Sequence, residues 1–163
     1  MTKGKEKEKD FYQLVEEWLY AYLSSKLRRY EILVKDTHRV KLCDFLRREG
    51  LLRFFPEGET YEIMPDITGV ARKQDKCLLI IVECKMGIVN LRDIAQILGY
   101  SIICKPEMSF IISSKGISDS FKRLVREYER IEILEYMSNH YIQVLKYDTL
   151  AKGIDYSQSI IVP

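Results

Sequence analysis

The feature that most limits the possible folds is the segment 77–85, Cys-Leu-Leu-Ile-Ile-Val-Glu-Cys-Lys. It is apolar at successive positions, which is typical of a central strand covered on both faces of a sheet. Because side chains alternate along a strand, Glu83 and Lys85 continue the row of apolar side chains formed by Leu79 and Ile81. Removing such charges from water costs several kcal/mol each unless they are paired or bind a metal. The sequence therefore predicts a compensating partner at this end of the strand.

A second β-rich segment, at residues 65–70, precedes this strand, and the polar residues 72–76 separate the two. A polar break between two β-rich segments indicates a hairpin. We predict a strand over residues 60–70 that carries Asp66. Pro65 has no N–H, so it marks the place where hydrogen bonding to the neighbouring strand loosens. Asp66 is then the partner expected for the charges at the end of the next strand.

The segment after the central strand predicts a helix. Asn90 is a suitable N-cap, and apolar residues recur at helical spacing over residues 91–104. Gln96 and Tyr100 are four residues apart and therefore lie on one face of this helix, one turn from each other. Two side chains that can form hydrogen bonds are thus presented together shortly after the central strand.

Asp66, Glu83 and Lys85, in this order, resemble the signature of the PD-(D/E)XK nuclease superfamily. Gln96 and Tyr100 resemble the Gln-x-x-x-Tyr motif that follows the catalytic lysine in RecB-like members of this superfamily. The resemblance extends from the first helix to about residue 113. It is the combination of these short motifs, in order and on successive predicted elements, that indicates the family.

The resemblance implies an α/β fold of the restriction-endonuclease-like type. In this fold a mixed central sheet is flanked by helices, and the core elements follow the order α-β-β-β-α-β. The whole chain, residues 1–163, is then a single nuclease-like domain with a charged N-terminal segment at residues 1–10. A helix predicted over residues 38–49 falls in a helical insertion at residues 37–58, before the Pro-Asp strand.

The resemblance also implies roles for the site residues. Asp66 and Glu83 are expected to bind Mg²⁺ or Mn²⁺, together with the backbone carbonyl of Cys84, in a metal-dependent hydrolysis of phosphodiester bonds. Lys85 is expected to orient or activate the attacking water, or to stabilise the charged phosphate. The Gln and Tyr of the following helix are expected to position the phosphate backbone and to support the lysine.

Many nucleases of this superfamily carry a glutamate on the first helix, followed by apolar residues at positions +3, +4 and +7. Residues 6–29 predict one long amphipathic helix, and both Glu8 and Glu16 fit that spacing. We prefer Glu8, because it extends the apolar stripe of Phe11 and Val15, and Glu16 remains the alternative. A carboxylate there is expected to support a second metal ion or its water shell.

The other predicted elements follow from local patterns. They are a short strand at 30–34, the helix at 38–49 with Thr37 as N-cap and Gly50 at its end, a strand at 108–113, a helix capped by Ser118, a strand at 131–134 and a strand at 141–147. Strand, helix and strand from 108 to 134 predict a βαβ crossover.

Composition restricts the class of protein. Hydrophobic residues make up 47% of the chain and charged residues 31%, which is typical of a soluble globular domain. The longest apolar run is too short to span a membrane, and the charged N-terminus is no signal peptide, so we expect a cytoplasmic protein without a membrane partner. The four cysteines lack a Cys-x-x-Cys motif, which indicates core thiols rather than a zinc or iron–sulfur site.

The charge pattern leaves the partner open at this point. The net charge is only +2, but basic residues are in excess between Lys26 and Arg53, where they either contact phosphates or form a solvated helix face. The expected substrate is nucleic acid, DNA in preference to RNA, in a role such as DNA repair. A non-catalytic nuclease-fold module that binds nucleic acid or another protein, a Holliday-junction resolvase of archaeal type, and an unrelated α/β protein with a chance motif are the alternatives. A homodimer also stays open.

Overall fold

The computed structural model describes the backbone of residues 2–163 and the side chains of residues 7–163. Its helices and strands are, in chain order, α1 (Thr2–Lys26), β1 (Glu31–Asp36), α2 (Leu42–Arg48), β2 (Ile67–Lys73), β3 (Lys76–Lys85), α3 (Leu91–Cys104), β4 (Met108–Ser113), α4 (Asp119–Arg126), β5 (Glu135–Met137), β6 (His140–Asp148) and β7 (Gly153–Ile160). Short 3₁₀ segments occupy Leu52–Phe54, Gly58–Thr60 and Ile131–Leu134. The predicted α/β class is confirmed.

The strands form one mixed sheet in the order β1-β2-β3-β4-β6-β5, with β7 paired to β6. Strand β2 pairs antiparallel with β1 and with β3. Strand β4 pairs parallel with β3 and with β6. Strands β5 and β7 both pair antiparallel with β6. The carboxyl ends of β3, β4 and β6 therefore meet at one edge of the sheet.

Strand β3 is central and is covered on both faces, as predicted. Leu79 and Ile81 belong to the core that packs under α2, α3 and α4. Ile80 and Val82 belong to the core that packs under α1 on the opposite face. The predicted hairpin joins β2 to β3, and Gln74 lies at its turn with a φ of 50°.

The long helix α1 packs directly on β2. A Cβ atom at Gly69 would lie 3.2 Å from Leu23 Cδ1 and 3.3 Å from Ile80 Cβ, which is closer than ordinary van der Waals contact. A glycine at this position therefore allows the helix to approach the sheet. The helix was predicted over residues 6–29. It begins earlier than predicted, at Thr2, and also ends earlier, at Lys26.

Helix α3 connects β3 to the parallel strand β4. Its N-cap is Asn90, as predicted, and its side chain accepts hydrogen bonds from the backbone N–H groups of Arg92 and Asp93. The side chain of Asp93 accepts in turn from the N–H of Asn90, which completes a capping box. The helix ends at Cys104, where Lys105 takes up a left-handed conformation.

Two predictions before the hairpin are wrong. Strand β2 begins at Ile67, not at residue 60, because the carbonyls of Tyr61 and Ile63 accept hydrogen bonds from the first turn of α2 instead of from a strand. Thr37 is not an N-cap, since α2 begins at Leu42. The Thr37 hydroxyl donates to the carbonyl oxygen of Pro65 at 2.7 Å, and it thereby fixes the segment that leads into β2.

The predicted strand at 131–134 is also wrong. Ile131–Leu134 is a 3₁₀ segment, and the strand that lies parallel to β4 is β6. The crossover itself is present, with the Ser118-capped α4 within it. Strand β7 was not predicted from the sequence. No helix within residues 2–163 is both long enough and apolar enough to cross a bilayer.

Candidate active site

The site lies where β3 ends and β2 begins. Asp66 directly precedes β2, and Oδ2 of its carboxylate accepts a hydrogen bond from the backbone N–H of Cys84 at 2.8 Å. This contact holds the carboxylate against the last residues of β3, between Glu83 and Lys85. The Cys84 side chain points to the opposite face, where it is buried in the core under α1.

Glu83 is 2% exposed and has one satisfied and one unsatisfied carboxylate oxygen. Its Oε2 accepts a hydrogen bond from Nε2 of Gln96 at 3.1 Å and lies 3.9 Å from Nζ of Lys85. Its Oε1 is buried and has no hydrogen-bond partner among the described residues. A buried acceptor without a partner costs about 1–3 kcal/mol, and more when it is charged. The arrangement therefore favours an additional positive group at this oxygen.

Burial raises the pKa of both carboxylates. Burial raises the pKa of Glu83 to about 8, and the negative charge of Asp66 contributes to the same shift, against the opposing effect of Lys85. Burial also raises the pKa of Asp66, although the N–H of Cys84, the charge of Lys85 and the hydroxyl of Tyr12 lower it. The repulsion of Glu83 by a neighbouring carboxylate is expected of acids that are arranged to share a cation.

Lys85 is bound to the start of α3 as well as to its own strand. Its Nζ lies 3.5 Å from Oδ1 of Asp93, while Oδ2 of the same carboxylate accepts from the N–H of Asn90. The first turn of α3 therefore supplies the charge that orients the lysine. Asp93 was not predicted as a site residue, although an acidic residue three positions after an N-cap is the signal of a capping box.

Tyr12 connects the first helix to the carboxylates. Its hydroxyl lies 3.3 Å from Oδ1 of Asp66 and 3.2 Å from Oε1 of Glu8, and its single proton can serve only one of them at a time. Glu8 is exposed, and it is connected to Asp66 only through the Tyr12 hydroxyl. Glu16, half-buried beside Lys35 and Asp36, makes no hydrogen bond or ion pair to this group in the part of the chain that is described.

His38 is a further neighbour that the sequence did not indicate. Its ring lies 5.0 Å from that of Tyr12, and its Nδ1 is hydrogen-bonded to the carboxylate of Asp36. The charge of His38 lowers the pKa of Asp66. His140 lies at the other end of the sheet, at the start of β6.

The two residues of the Gln-x-x-x-Tyr motif have different surroundings. Gln96 contacts Glu83, as described above, whereas Tyr100 is half-buried and packs against the core under α3. Within residues 7–163 the Tyr100 hydroxyl makes no hydrogen bond to Asp66, Glu83 or Lys85. Tyr100 therefore contributes to packing one turn further along the helix.

The residues present fit a divalent cation of the hard, oxygen-preferring type. Mg²⁺ is commonly bound by one or two carboxylates with several water molecules. Asp66 and Glu83 provide two carboxylates, and one buried oxygen of Glu83 has no partner among the described residues. No group of three or more His, Cys, Asp or Glu side chains with metal-site geometry occurs among the described residues. A site here is therefore limited to two carboxylates and backbone oxygen. The four cysteines are free thiols.

Comparison of the chain with family models, curated proteins and solved structures gives no significant match.

Proposed function

We propose that this protein is a metal-dependent nuclease that hydrolyses phosphodiester bonds, with DNA as the preferred substrate. The observation that carries the proposal is the buried, unpartnered Oε1 of Glu83, a carboxylate whose pKa is raised by the charge of Asp66 and whose other oxygen, Oε2, lies 3.9 Å from Nζ of Lys85. A structural ion pair would satisfy that oxygen, whereas a metal-binding carboxylate leaves it available. The raised pKa values of both acids are typical of functional carboxylates.

The proposed fold is the restriction-endonuclease-like one. The element order α1-β1-β2-β3-α3-β4, with α2 between β1 and β2, supports this proposal. So does the parallel pairing of β3 with β4, which α3 connects. In this proposal Asp66, Glu83 and the carbonyl oxygen of Cys84 hold Mg²⁺ or Mn²⁺. When bound, such an ion would polarise the phosphate and lower the pKa of a coordinated water.

The side chains of the chain itself have separate roles in this proposal. Lys85, which is only partly exposed and is oriented by Asp93, donates to the attacking water or to a phosphate oxygen. Gln96 fixes the rotamer of Glu83 through Oε2, which leaves Oε1 free for the cation. Tyr12 likewise fixes the rotamer of Asp66, through its contact with Oδ1. Glu8 can bind the outer water shell of the ion through its exposed carboxylate.

The test is cleavage of single-stranded, duplex and branched DNA and of RNA, with Mg²⁺, with Mn²⁺ and with EDTA. Lys85→Ala is expected to lower the cleavage rate about 100-fold or more, the usual contribution of a proton-transferring or charge-stabilising side chain. Its binding to the same substrate should be nearly unchanged, because binding comes mainly from phosphate contacts distributed over the surface. Lys76→Ala, an exposed lysine at the other end of β3, is the matched control.

Cleavage that persists in EDTA, or that is undiminished in Lys85→Ala, contradicts the proposed mechanism. A wild-type protein that binds nucleic acid and cuts none of the substrates supports the non-catalytic nuclease-fold module instead. A preference for four-way junctions over linear duplex would favour a resolvase.

A further inference from the structure

A concave site lies at the opposite end of the sheet from the carboxylates. It has a volume of about 470 Å³, within the range of roughly 300–1,000 Å³ that small-ligand pockets occupy. Met108 and Ser109 at the start of β4 line it, whereas Ser113 at the end of β4 lies beside Lys85. Because a strand rises about 3.3 Å per residue, the cavity is roughly 15 Å from the lysine along the sheet. It is therefore separate from the candidate active site.

Several aromatic rings line this cavity. Trp18 and Tyr22 of α1 are stacked, with ring centroids 5.2 Å apart and an angle of 21° between the ring planes. Both meet the buried ring of Phe110 edge-on, at 5.7 and 5.8 Å. Tyr141 and Tyr156 also line the cavity. Extended flat faces of this kind bind planar rings by stacking.

The rim carries positive charge on one side. Lys26 Nζ lies 5.5 Å above the ring of Tyr22 and donates to its hydroxyl at 3.2 Å. Arg28 and Arg29 follow the end of α1 in the chain and are exposed, although they do not themselves line the cavity. None of these three cations belongs to an ion pair within the described part of the chain. This side of the rim therefore complements a phosphate or a phosphodiester backbone.

The other side of the rim offers polar edges. Nδ1 of His140 is hydrogen-bonded to the carbonyl oxygen of Ser138, so this nitrogen carries the proton and Nε2 is left as an acceptor. Asn139 lines the same side with an exposed amide, which both donates and accepts. An amide and an imidazole nitrogen are suited to the donor and acceptor edge of a nucleobase.

The shape of the cavity argues against a protein partner. A stable protein interface buries about 800 Å² on each side, whereas this site is a pocket closed on one side by residues 161–163. Gln143 holds that segment through two hydrogen bonds with the backbone of Val162, at 2.9 and 3.1 Å. Glu107 also lines the cavity and adds a negative charge, so the site is no general anion-binding cluster.

We propose that this cavity binds one nucleobase, stacked on its aromatic walls, with the attached phosphate at Lys26. The ligand is a nucleotide unit, either free as a nucleoside monophosphate or unpaired within a single strand. Binding is reversible and involves no chemical step. The site acts independently of the carboxylates, and its test does not require cleavage.

The test uses Trp18, the only tryptophan of the chain, as a fluorescent reporter in the cavity. The full chain is titrated in EDTA with deoxyadenosine, with deoxyadenosine monophosphate, with a single-stranded oligonucleotide and with a fully paired duplex. A saturable change with the monophosphate identifies free nucleotide as a ligand, and saturation by the single strand alone identifies an unpaired nucleotide of a strand. No saturable change with either, or equal affinity for the duplex and the single strand, overturns the proposal.

Two variants locate the binding. Tyr156→Ala is expected to weaken binding about tenfold through loss of stacking, and Tyr128→Ala is its control, since the two tyrosines are 60% and 64% exposed. Lys26→Ala should weaken binding of the monophosphate but not of the nucleoside. Identical affinities of the two tyrosine variants would overturn the site. Cleavage without a saturable fluorescence change would refute this site alone, and saturable binding without cleavage would refute only the proposed nuclease.

Discussion

The unpartnered oxygen of Glu83 has a consequence for stability that can be measured without substrate. The pKa of Glu83 is about 8 in the folded chain, against an ordinary value of 4.5, because of burial and the charge of Asp66. The folded state therefore binds a proton that the unfolded state has lost at neutral pH. The resulting stabilisation is complete below about pH 4.5 and is lost as the pH rises through 8.

We therefore predict that the free energy of unfolding in EDTA falls between pH 5.5 and pH 9 in the wild type and falls much less in Glu83→Gln. At pH 8 the variant should be more stable than the wild type by at least about 1 kcal/mol, the value of one unit of pKa. Urea denaturation at several pH values measures this. Mg²⁺ should stabilise only the wild type at high pH, and parallel pH profiles of the two proteins would show that Glu83 is not the responsible group.

Tyr12 is the second residue with a separable role. Tyr12→Phe removes the hydroxyl that lies between Asp66 and Glu8, and we expect the apparent affinity for Mg²⁺ to fall about 10- to 100-fold, as is usual for the loss of a group that orients a metal ligand. The measurement is the cleavage rate as a function of Mg²⁺ concentration. Tyr20→Phe, an exposed tyrosine of the same helix, is the control. An equal response of both variants would argue against this role.

Single residues differ in how far the sequence revealed them. Glu83 and Lys85 stand out because a strand with period two places charges in an apolar row, which is a local property. Tyr12 and His38 could not be assigned in this way, since their proximity to Asp66 depends on how α1 and the end of β1 pack beside β2. Contacts between distant elements leave no periodic signal in the chain.

At the scale of elements, the same distinction separates correct from incorrect predictions. Helix α3 and strand β4 were predicted with their observed limits, because a capping residue and an apolar pattern fix them locally. The predicted start of β2 is wrong because the carbonyls of Tyr61 and Ile63 accept hydrogen bonds from the N–H groups of α2. This is a tertiary contact, which local sequence patterns do not indicate. Residues 131–134 alternate two isoleucines with other residues and so resemble a strand, yet they form a 3₁₀ segment directly before β5.

Helix α3 contributes both to the free energy of unfolding and to the position of Lys85 in the candidate active site. Substitution of its N-cap, Asn90, allows the two contributions to be measured separately. Asn90→Ala should lower the free energy of unfolding by about 1 kcal/mol, the usual loss on removal of an N-cap. It should also reduce cleavage, because the Asn90 side chain accepts from the backbone N–H groups of Arg92 and Asp93 and so fixes the turn that carries the Asp93 carboxylate beside Lys85. Ser118→Ala removes the side-chain cap of α4, and the Ser118 hydroxyl makes no hydrogen bond to Asp93 or Lys85 among the described residues, so this variant should destabilise without a specific effect on cleavage. Equal effects on cleavage at matched folded fraction would contradict the coupling.

For the whole molecule, the distribution of charge matters more than the net value of +2. Exposed cations without ion pairs among the described residues surround the end of the sheet where the carboxylates lie. They are Lys35, Arg39, Arg92 and Lys115. Lys73 and Lys76, at the hairpin, are equally exposed but lie at the opposite end of β2 and β3.

We expect the first group, and not the hairpin lysines, to contact the phosphates of a bound duplex. Each contact contributes about 0.9 to the slope of log affinity against log salt concentration. The double reversal Arg39→Glu and Lys115→Glu, made in the Lys85→Ala background to prevent cutting, should therefore reduce the slope by about 2 and weaken binding at low salt. Reversal of Lys73 and Lys76 changes the net charge by the same amount, so it controls for long-range electrostatics. If both pairs lower the slope equally, binding follows net charge alone and the duplex is not directed to the carboxylate end of the sheet.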